Sequence, residues 1–393
     1  MIAIQEMHDT TVHPIAKIKV LGIGGAGNNI VNNICQAHIE GIECIVANTD
    51  AQTLHKSSAQ KTIQLGVKLA KGLGAGANPD IGRKAAEEDI DKILEAVGDA
   101  DIVFLTAGMG GGTGSGAIAV IAKALKERGI LTVGTVTKPF MFEGKRRAAI
   151  AEQAIEELKK HIDTLLVVPN QRLLDIADDS VSMLQAFDMV NQVLQQSIKG
   201  IAYIITKSGH INVDFADLRT IIKDMGVAVM GTGIATGPDR AVQATIQAIS
   251  SPLLENMHIQ GAKGVLINIT GGKNLGLHEI HQAASVIYEQ ADEQANIILG
   301  SVIDESMTDE LIVTVIATGF DPRNATTNAI PLFNHEAQPT HVVQPIMMQP
   351  TEPTKAHPAM MAPEMTGNNA EYNELDIPAF MRKEQQKTQQ EAQ

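Results

Sequence analysis

The sequence predicts an α/β protein: an N-terminal Rossmann-like domain on a parallel sheet, a long central helix, a smaller C-terminal α/β domain, then a disordered linker and a C-terminal peptide. Three observations carry this. From Lys17 to about Gly319 short apolar runs alternate with segments of helical period, the pattern of a sheet covered by helices. Two strand-to-helix junctions, after Leu21 and after Ala107, are dense in glycine. Beyond Asp321 the periodicity stops, and eight prolines fall between Pro322 and Pro363.

Composition narrows the class of function. At 393 residues the chain can bury two cores and still carry a tail. It is 44% apolar but 3% aromatic and lacks Trp, so the core must be aliphatic. A formal charge of −14 argues against a nucleic-acid partner, which would need a basic face. Cys35 and Cys44 have no C-x-x-C spacing and read as buried thiols of a reducing cytosol. No apolar run approaches membrane-span length, and Glu6 and Asp9 interrupt any signal peptide. The expectation is a cytoplasmic protein without direct membrane insertion.

Residues 1–16 read as a flexible arm, and 17–180 as the first domain. Ile18 to Gly22 form a buried strand that runs into Gly22-Ile23-Gly24-Gly25-Ala26-Gly27-Asn28-Asn29 and a helix, with a second strand ending at Asp50. This matches G-x-G-x-x-G with an acid about 20 residues on, the dinucleotide fingerprint, and supports an NAD-dependent dehydrogenase as a rival reading. Lys71 to Pro79 is a third glycine-rich stretch, either a surface turn or a loop closing over phosphates. A charged helix is expected over Arg83 to Val97.

The stretch Asp101 to Leu125, DIVFLTAGMGGGTGSGAIAVIAKAL, is strand, loop and helix. Gly110, Gly111, Gly112, Gly114 and Gly116 leave the backbone open to a ligand, and a helix starting near Ser115 adds a positive dipole end, so a phosphate suits the loop. Thr113 and Ser115 offer hydroxyls. No lysine follows the glycines, so this is not a P-loop. Two such loops give a triphosphate more donors than one would. Glu143 and Arg147 stand four apart at the start of the next helix, an exposed ion pair on the plainest reading.

Residues 181–206 form the central helix. Residues 207–319 make the second domain, opening on Asn212-Val213-Asp214-Phe215-Ala216-Asp217, a helix start with Asp214 as N-cap and Asp217 in the first turn. Helix, strand, helix, strand, helix and two strands follow. His278 and His281 lack the spacing of a zinc helix, and no protein metal ligand is assigned. Residues 320–370 read as a disordered linker. In 371–393, Ile377, Phe380 and Met381 fall at i, i+3, i+4 behind Pro378, the stripe of a docking peptide.

GGGTGSG resembles the signature loop of the tubulin and FtsZ superfamily. AGMGGGTGSG, NVDFAD and LDIPAFMRK, in that order, resemble the FtsZ family of bacterial cell-division GTPases. The resemblance covers Lys17 to about Gly319 and Glu371 to Gln393. It implies GTP or GDP with Mg²⁺ as ligands, a head-to-tail homopolymer in the cytoplasm at the division site on the inner face of the membrane, and GTP hydrolysis between subunits. Carried over by motif, Gly25, Ala26, Gly27, Asn28, Asn29, Gly112, Thr113 and Gly114 hold the phosphates. Glu143 binds ribose, Arg147 lies near the phosphates, Phe187 stacks on guanine and Asn191 reads its edge. Asn212, Asp214 and Asp217 of the next subunit position the attacking water. Leu375, Asp376, Ile377, Pro378, Phe380 and Met381 bind membrane-tethering and regulatory division proteins. Two departures stand out. Ser115 replaces the family's usual threonine, and Asn191 replaces an aspartate common among relatives, leaving one acceptor oxygen for the base.

Once those assignments are granted, geometry bears on mechanism. Roughly 20 helical residues separate the guanine end from NVDFAD by about 30 Å. A heterologous contact between neighbours brings the two ends together and, left unclosed, builds a filament. A scaffold that binds nucleotide without turnover is the third reading.

Overall fold

A computed structural model describes residues 16–37, 39, 41–174, 177–178, 180–206, 213–254 and 259–320. By contact density the chain divides into Met1–Ile330 and Pro331–Gln393, and every described residue lies in the first unit. The expected arm, linker and C-terminal peptide, with Leu375, Asp376, Ile377, Pro378, Phe380 and Met381, fall outside the described residues, as does Asn212.

The first half runs β1 (Ile18–Ile23), α1 (Gly24–Gln36), β2 (Ile42–Asn48), α2 (Ala51–His55), β3 (Lys61–Gln64), α3 (Pro79–Glu88), α4 (Ile90–Val97), β4 (Ile102–Gly108), α5 (Thr113–Glu127), β5 (Leu131–Lys138), α6 (Lys145–Lys159), β6 (Thr164–Pro169) and α7 (Asn170–Leu174). After α8 (Met183–Thr206) come α9 (Phe215–Ile222), β7 (Gly226–Thr236), α10 (Arg240–Ile249), β8 (Gly264–Gly271), α11 (Leu277–Gln290), β9 (Asn296–Ile303) and β10 (Glu310–Thr318). All ten strands form one sheet, in the order β3-β2-β1-β4-β5-β6-β7-β10-β8-β9. Strands β1 to β6 pair in parallel. Three residue pairs, Thr164–Gly226 to Leu166–Ala228, join β6 to β7 and carry the sheet into the second half, where β10 runs antiparallel to β7 and β8.

Three aliphatic cores explain the layering. One lies beneath α1, α8 and α9 and draws from both halves, from Val20 and Phe104 to Leu266 and Ile316. A second, on the opposite face of the first half, seats α3 to α6. A third seats α10 and α11 on the second half. Strands β1 and β4 are covered on both faces, which is why their sequences read as unbroken apolar runs rather than alternation.

Several elements differ from expectation for local reasons. The helix expected over Arg83 to Val97 is two helices, because Asp89 is pulled out of line: its buried carboxylate accepts from the Gly66 N–H (2.7 Å) and from Lys92 (2.6 Å). The central helix starts at Met183, where Ser182 and Gln185 form a reciprocal capping box: the Ser182 N–H donates to Oε1 (2.9 Å) and the Gln185 N–H to Oγ (3.3 Å). Strand β3 carries little pattern of its own and owes its conformation to β2.

Candidate nucleotide site

In an open parallel sheet of order 3-2-1-4-5-6 the winding reverses between β1 and β4, and a crevice opens there at the carboxyl ends of the strands. Here Ile23 at the end of β1 lies opposite Ala107 of β4. Both expected glycine loops leave the sheet at that point. The cleft between them has a volume of about 360 Å³ and runs along the strand ends past Gly108, Thr137 and Asn170 to α8, within the range of small-molecule sites.

Two helix N-termini point their polarity at the cleft. Neither α1 nor α5 has a side-chain cap or an acidic residue in its first turn. Elsewhere Asn78 caps α3, with Asp80 in its first turn, and Asp50 caps α2, although α10 also starts with neither a side-chain cap nor an early acid. The first N–H groups of α1 and α5 are thus left for an anion.

Ten of the expected residues line the cleft: Gly25, Ala26, Asn29, Gly112, Thr113, Gly114, Glu143, Arg147, Phe187 and Asn191. Gly27 and Asn28 do not. Gly27 lies under the loop, where a Cβ would sit 2.6 Å from the Thr106 carbonyl oxygen, so its glycine serves the packing of α1 on the sheet. Asn28 is buried and donates from Nδ2 to the Thr53 carbonyl (3.4 Å).

The signature loop divides its glycines between ligand and packing. Gly111 faces open space and lines the cleft. Gly116, by contrast, lets α5 touch α3 backbone to backbone, since a Cβ there would come within 2.0 Å of the Pro79 carbonyl oxygen. The hydroxyls expected to face a ligand are engaged within the protein. Ser115 is buried and accepts from the Gly110 N–H (2.9 Å), while Thr113 Oγ1 shares a 2.7 Å hydrogen bond with Thr49 Oγ1. The stretch Lys71 to Pro79 sits behind this loop, with Ala75 and Asn78 against Gly112, and does not line the cleft.

Glu143 and Arg147 form the i,i+4 pair the spacing suggests, at 2.6 Å, and both also line the cleft. The Glu143 Oε1 accepts from the Phe140 N–H (3.0 Å), which fixes the carboxylate. Phe187 is held by a perpendicular ring contact with buried Phe140, centroids 5.2 Å apart. Sequence reading missed Thr137, Pro139, Val190 and Asn170. Asn170 matters most, because it is 4% exposed, lines the same cleft as Phe187 and Asn191, and leaves Oδ1 without a partner. Its only local signal is an amide directly after an apolar strand, TLLVVPN.

Asp214 and Asp217 are not brought to the cleft. They are exposed at the start of α9, which follows the far end of α8. Asp214 occupies the N-cap position, yet its carboxylate makes no capping hydrogen bond. Asp50 is the contrast. It accepts from the Gln52 and Thr53 N–H groups and from the Thr53 hydroxyl, which holds its carboxyl below the usual range. The acid that completed the dinucleotide fingerprint is therefore engaged in capping a helix.

Residues 17–178 match the description "Tubulin/FtsZ family, GTPase domain", and residues 226–321 match "FtsZ family, C-terminal domain". The chain is 47% identical over 374 residues to a cell division protein FtsZ of Buchnera aphidicola subsp. Baizongia pistaciae (strain Bp), covering 94% of this chain and 97% of that one. The chain belongs to the FtsZ family. A Wolbachia FtsZ is 46% identical over 387 residues, covering 95% and 96%. A solved FtsZ dimer from M. jannaschii superposes with a TM-score of 0.75 at 43% identity, covering 77% of this chain and 88% of that one. As an FtsZ-family member with the family's GTPase domain, the protein binds GTP and hydrolyses it, and the dehydrogenase reading falls. Among the described residues no helix is long and apolar enough to cross a membrane.

Proposed function

We propose that this FtsZ-family GTPase holds GTP along the cleft, assembles head to tail into filaments of the cell-division ring, and hydrolyses GTP only where one subunit's α9 loop meets the next subunit's nucleotide. The observation that carries this is the separation of the two halves of the machinery. Helix α8 has 24 residues, and from Phe187 to its end at Thr206 it spans about 30 Å. Phe187 and Asn191 stand at one end, and Asp214 and Asp217 follow the other.

Within the cleft, backbone N–H groups of Gly25, Gly112 and Gly114 and the starts of α1 and α5 hold the phosphates. Arg147 adds the positive charge that a P-loop lysine would supply elsewhere. Glu143, held by Phe140 and Arg147, accepts from the ribose. Phe187 stacks on guanine, while Asn191 and the free Oδ1 of Asn170 read its edge. Asp214 and Asp217 of the neighbour orient the attacking water, aided by Asn212. A Mg²⁺ ion would be held by the phosphates and water, with those two carboxylates completing its outer shell, and would neutralise charge on the transferring phosphoryl group. Leu375, Asp376, Ile377, Pro378, Phe380 and Met381 dock to membrane-tethering and regulatory division proteins, which holds the filament at the division site on the inner face of the membrane.

Phosphate release from GTP with Mg²⁺, measured against protein concentration, tests the central claim. A rate per subunit near zero below a threshold and rising above it is expected. A rate per subunit that stays constant on dilution would place every catalytic group in one chain, and nucleotide binding without turnover at any concentration would leave a scaffold.

A further inference from the structure

Helix α9 has two unlike ends. At its start Asp214, Ala216 and Asp217 are exposed, and Asp214 leaves its carboxylate uncommitted to the helix. At its finish the last carbonyls are held by both halves of the protein. The Thr164 hydroxyl of β6 donates to the Ile222 carbonyl, and the Thr318 hydroxyl of β10 donates to the Ile221 carbonyl (3.1 Å). The turn that follows is held as well. Asp224, in the left-handed region at φ 57°, pairs with Lys126 of α5 at 2.6 Å. Lys126 also lies 3.3 Å from Asp163, which is buried, accepts from the Thr132 N–H and hydroxyl, and receives the Gly226 N–H on its carbonyl (2.9 Å).

We propose that this clamp aims the Asp214–Asp217 end of α9 at the nucleotide of the next subunit, with Lys126, Thr164 and Thr318 as positioning residues for hydrolysis. The inference rests on the reading that these aspartates act on a neighbour. Its physical basis is leverage. A helix of eight residues is about 12 Å long, so a tilt of about 5° at the clamped end moves the other end by about 1 Å. Displacements of that size cost about 100-fold in rate when a reacting group must be placed. None of the clamp residues lines the cleft, so nucleotide affinity should not respond.

The test uses the full chain with Lys126→Met and Thr164→Val. GTP affinity, filament mass with a slowly hydrolysed GTP analogue, and GTP turnover per filament subunit are measured in parallel. Affinity and filament mass are expected to stay within about twofold, while turnover falls about 10- to 100-fold. Lys126→Arg, which keeps the cation, should recover most of the loss. Joining Lys126→Met to Asp217→Ala should be no slower than Asp217→Ala alone, because the lysine acts through that loop. Wild-type turnover in normal filaments of either variant would overturn the clamp, as would a loss that adds fully to that of Asp217→Ala. Variants that bind GTP but form no filaments with the analogue would assign these residues to assembly instead. The dilution curve of the wild-type chain reports separately on whether the aspartates act on a neighbour.

Discussion

Asn170 shows how much one buried amide can decide. Its Oδ1 is buried without a partner in a residue that, like Asn191, lines the cleft, so it costs the folded protein desolvation that a base N–H would offset. Asn170→Leu should therefore move two quantities in opposite directions. Thermal stability of the nucleotide-free protein stays level or rises, while GTP affinity drops about 5- to 100-fold, about 1–3 kcal/mol. Melting curves with and without GTP check both. A fall in stability with unchanged affinity would make the amide structural. The two N-cap aspartates make the same point about commitment: Asp50 engages its carboxylate with α2, while Asp214 keeps its own unbonded to α9.

At the scale of elements, close approach and buried charge set the tolerances. Helices α3 and α5 meet through backbone at Gly116 and Gly82, where a Cβ would lie 2.0 Å from the Pro79 carbonyl oxygen and 2.3 Å from that of Gly112. Gly116→Ala must push the helices apart, and a loss of about 1–3 kcal/mol is expected in denaturant unfolding, with the signature loop displaced. In the second half, Arg240 joins α10 to α11. Its guanidinium donates to both Glu279 oxygens, at 2.6 and 3.0 Å, and to the Asp309 carbonyl. The Arg240 hydrogen bonds hold the Glu279 carboxyl below its ordinary value of 4.5. A depressed carboxylate contributes stability above the unfolded value and loses it as pH falls through the folded one. The wild-type chain should thus lose this contribution from about pH 4.5 downward, whereas Glu279→Gln, about 3–5 kcal/mol less stable at pH 7, should show a flatter acid limb in the same unfolding series.

In the proposed function the whole molecule separates binding from catalysis along α8, which would make turnover a property of pairs. Mixing two variants that are each inactive alone, Asp217→Ala with its nucleotide cleft intact and Arg147→Ala with its α9 loop intact, distinguishes the two geometries. With hydrolysis between neighbours, a cleft of the first variant meets a loop of the second at about a quarter of the junctions at equal amounts, and turnover returns to that extent. With hydrolysis inside one chain, the mixture stays inactive. Phosphate release at constant total protein reads the difference.

What the sequence determined by itself is what local chemistry dictates. Apolar runs with glycine-dense ends gave β1, β4 and both glycine loops; the helical period gave α8; and the motif order gave the FtsZ family. It also placed Glu143 and Arg147 on one helical face, where they pair. Other facts depend on distant neighbours. Strand β3 exists because β2 supplies its hydrogen bonds, and the break at Asp89 exists because Gly66 arrives beside it. Gly27 and Asn28 look the same in sequence as Gly25 and Asn29, yet only the fold turns the first pair under the loop and the second into the cleft. Likewise Thr164, Thr318 and Lys126 carry no motif. Separations of 58, 97 and 98 residues lie between them and the groups they hold in α9 and the turn after it, and only tertiary packing brings such groups within hydrogen-bond reach.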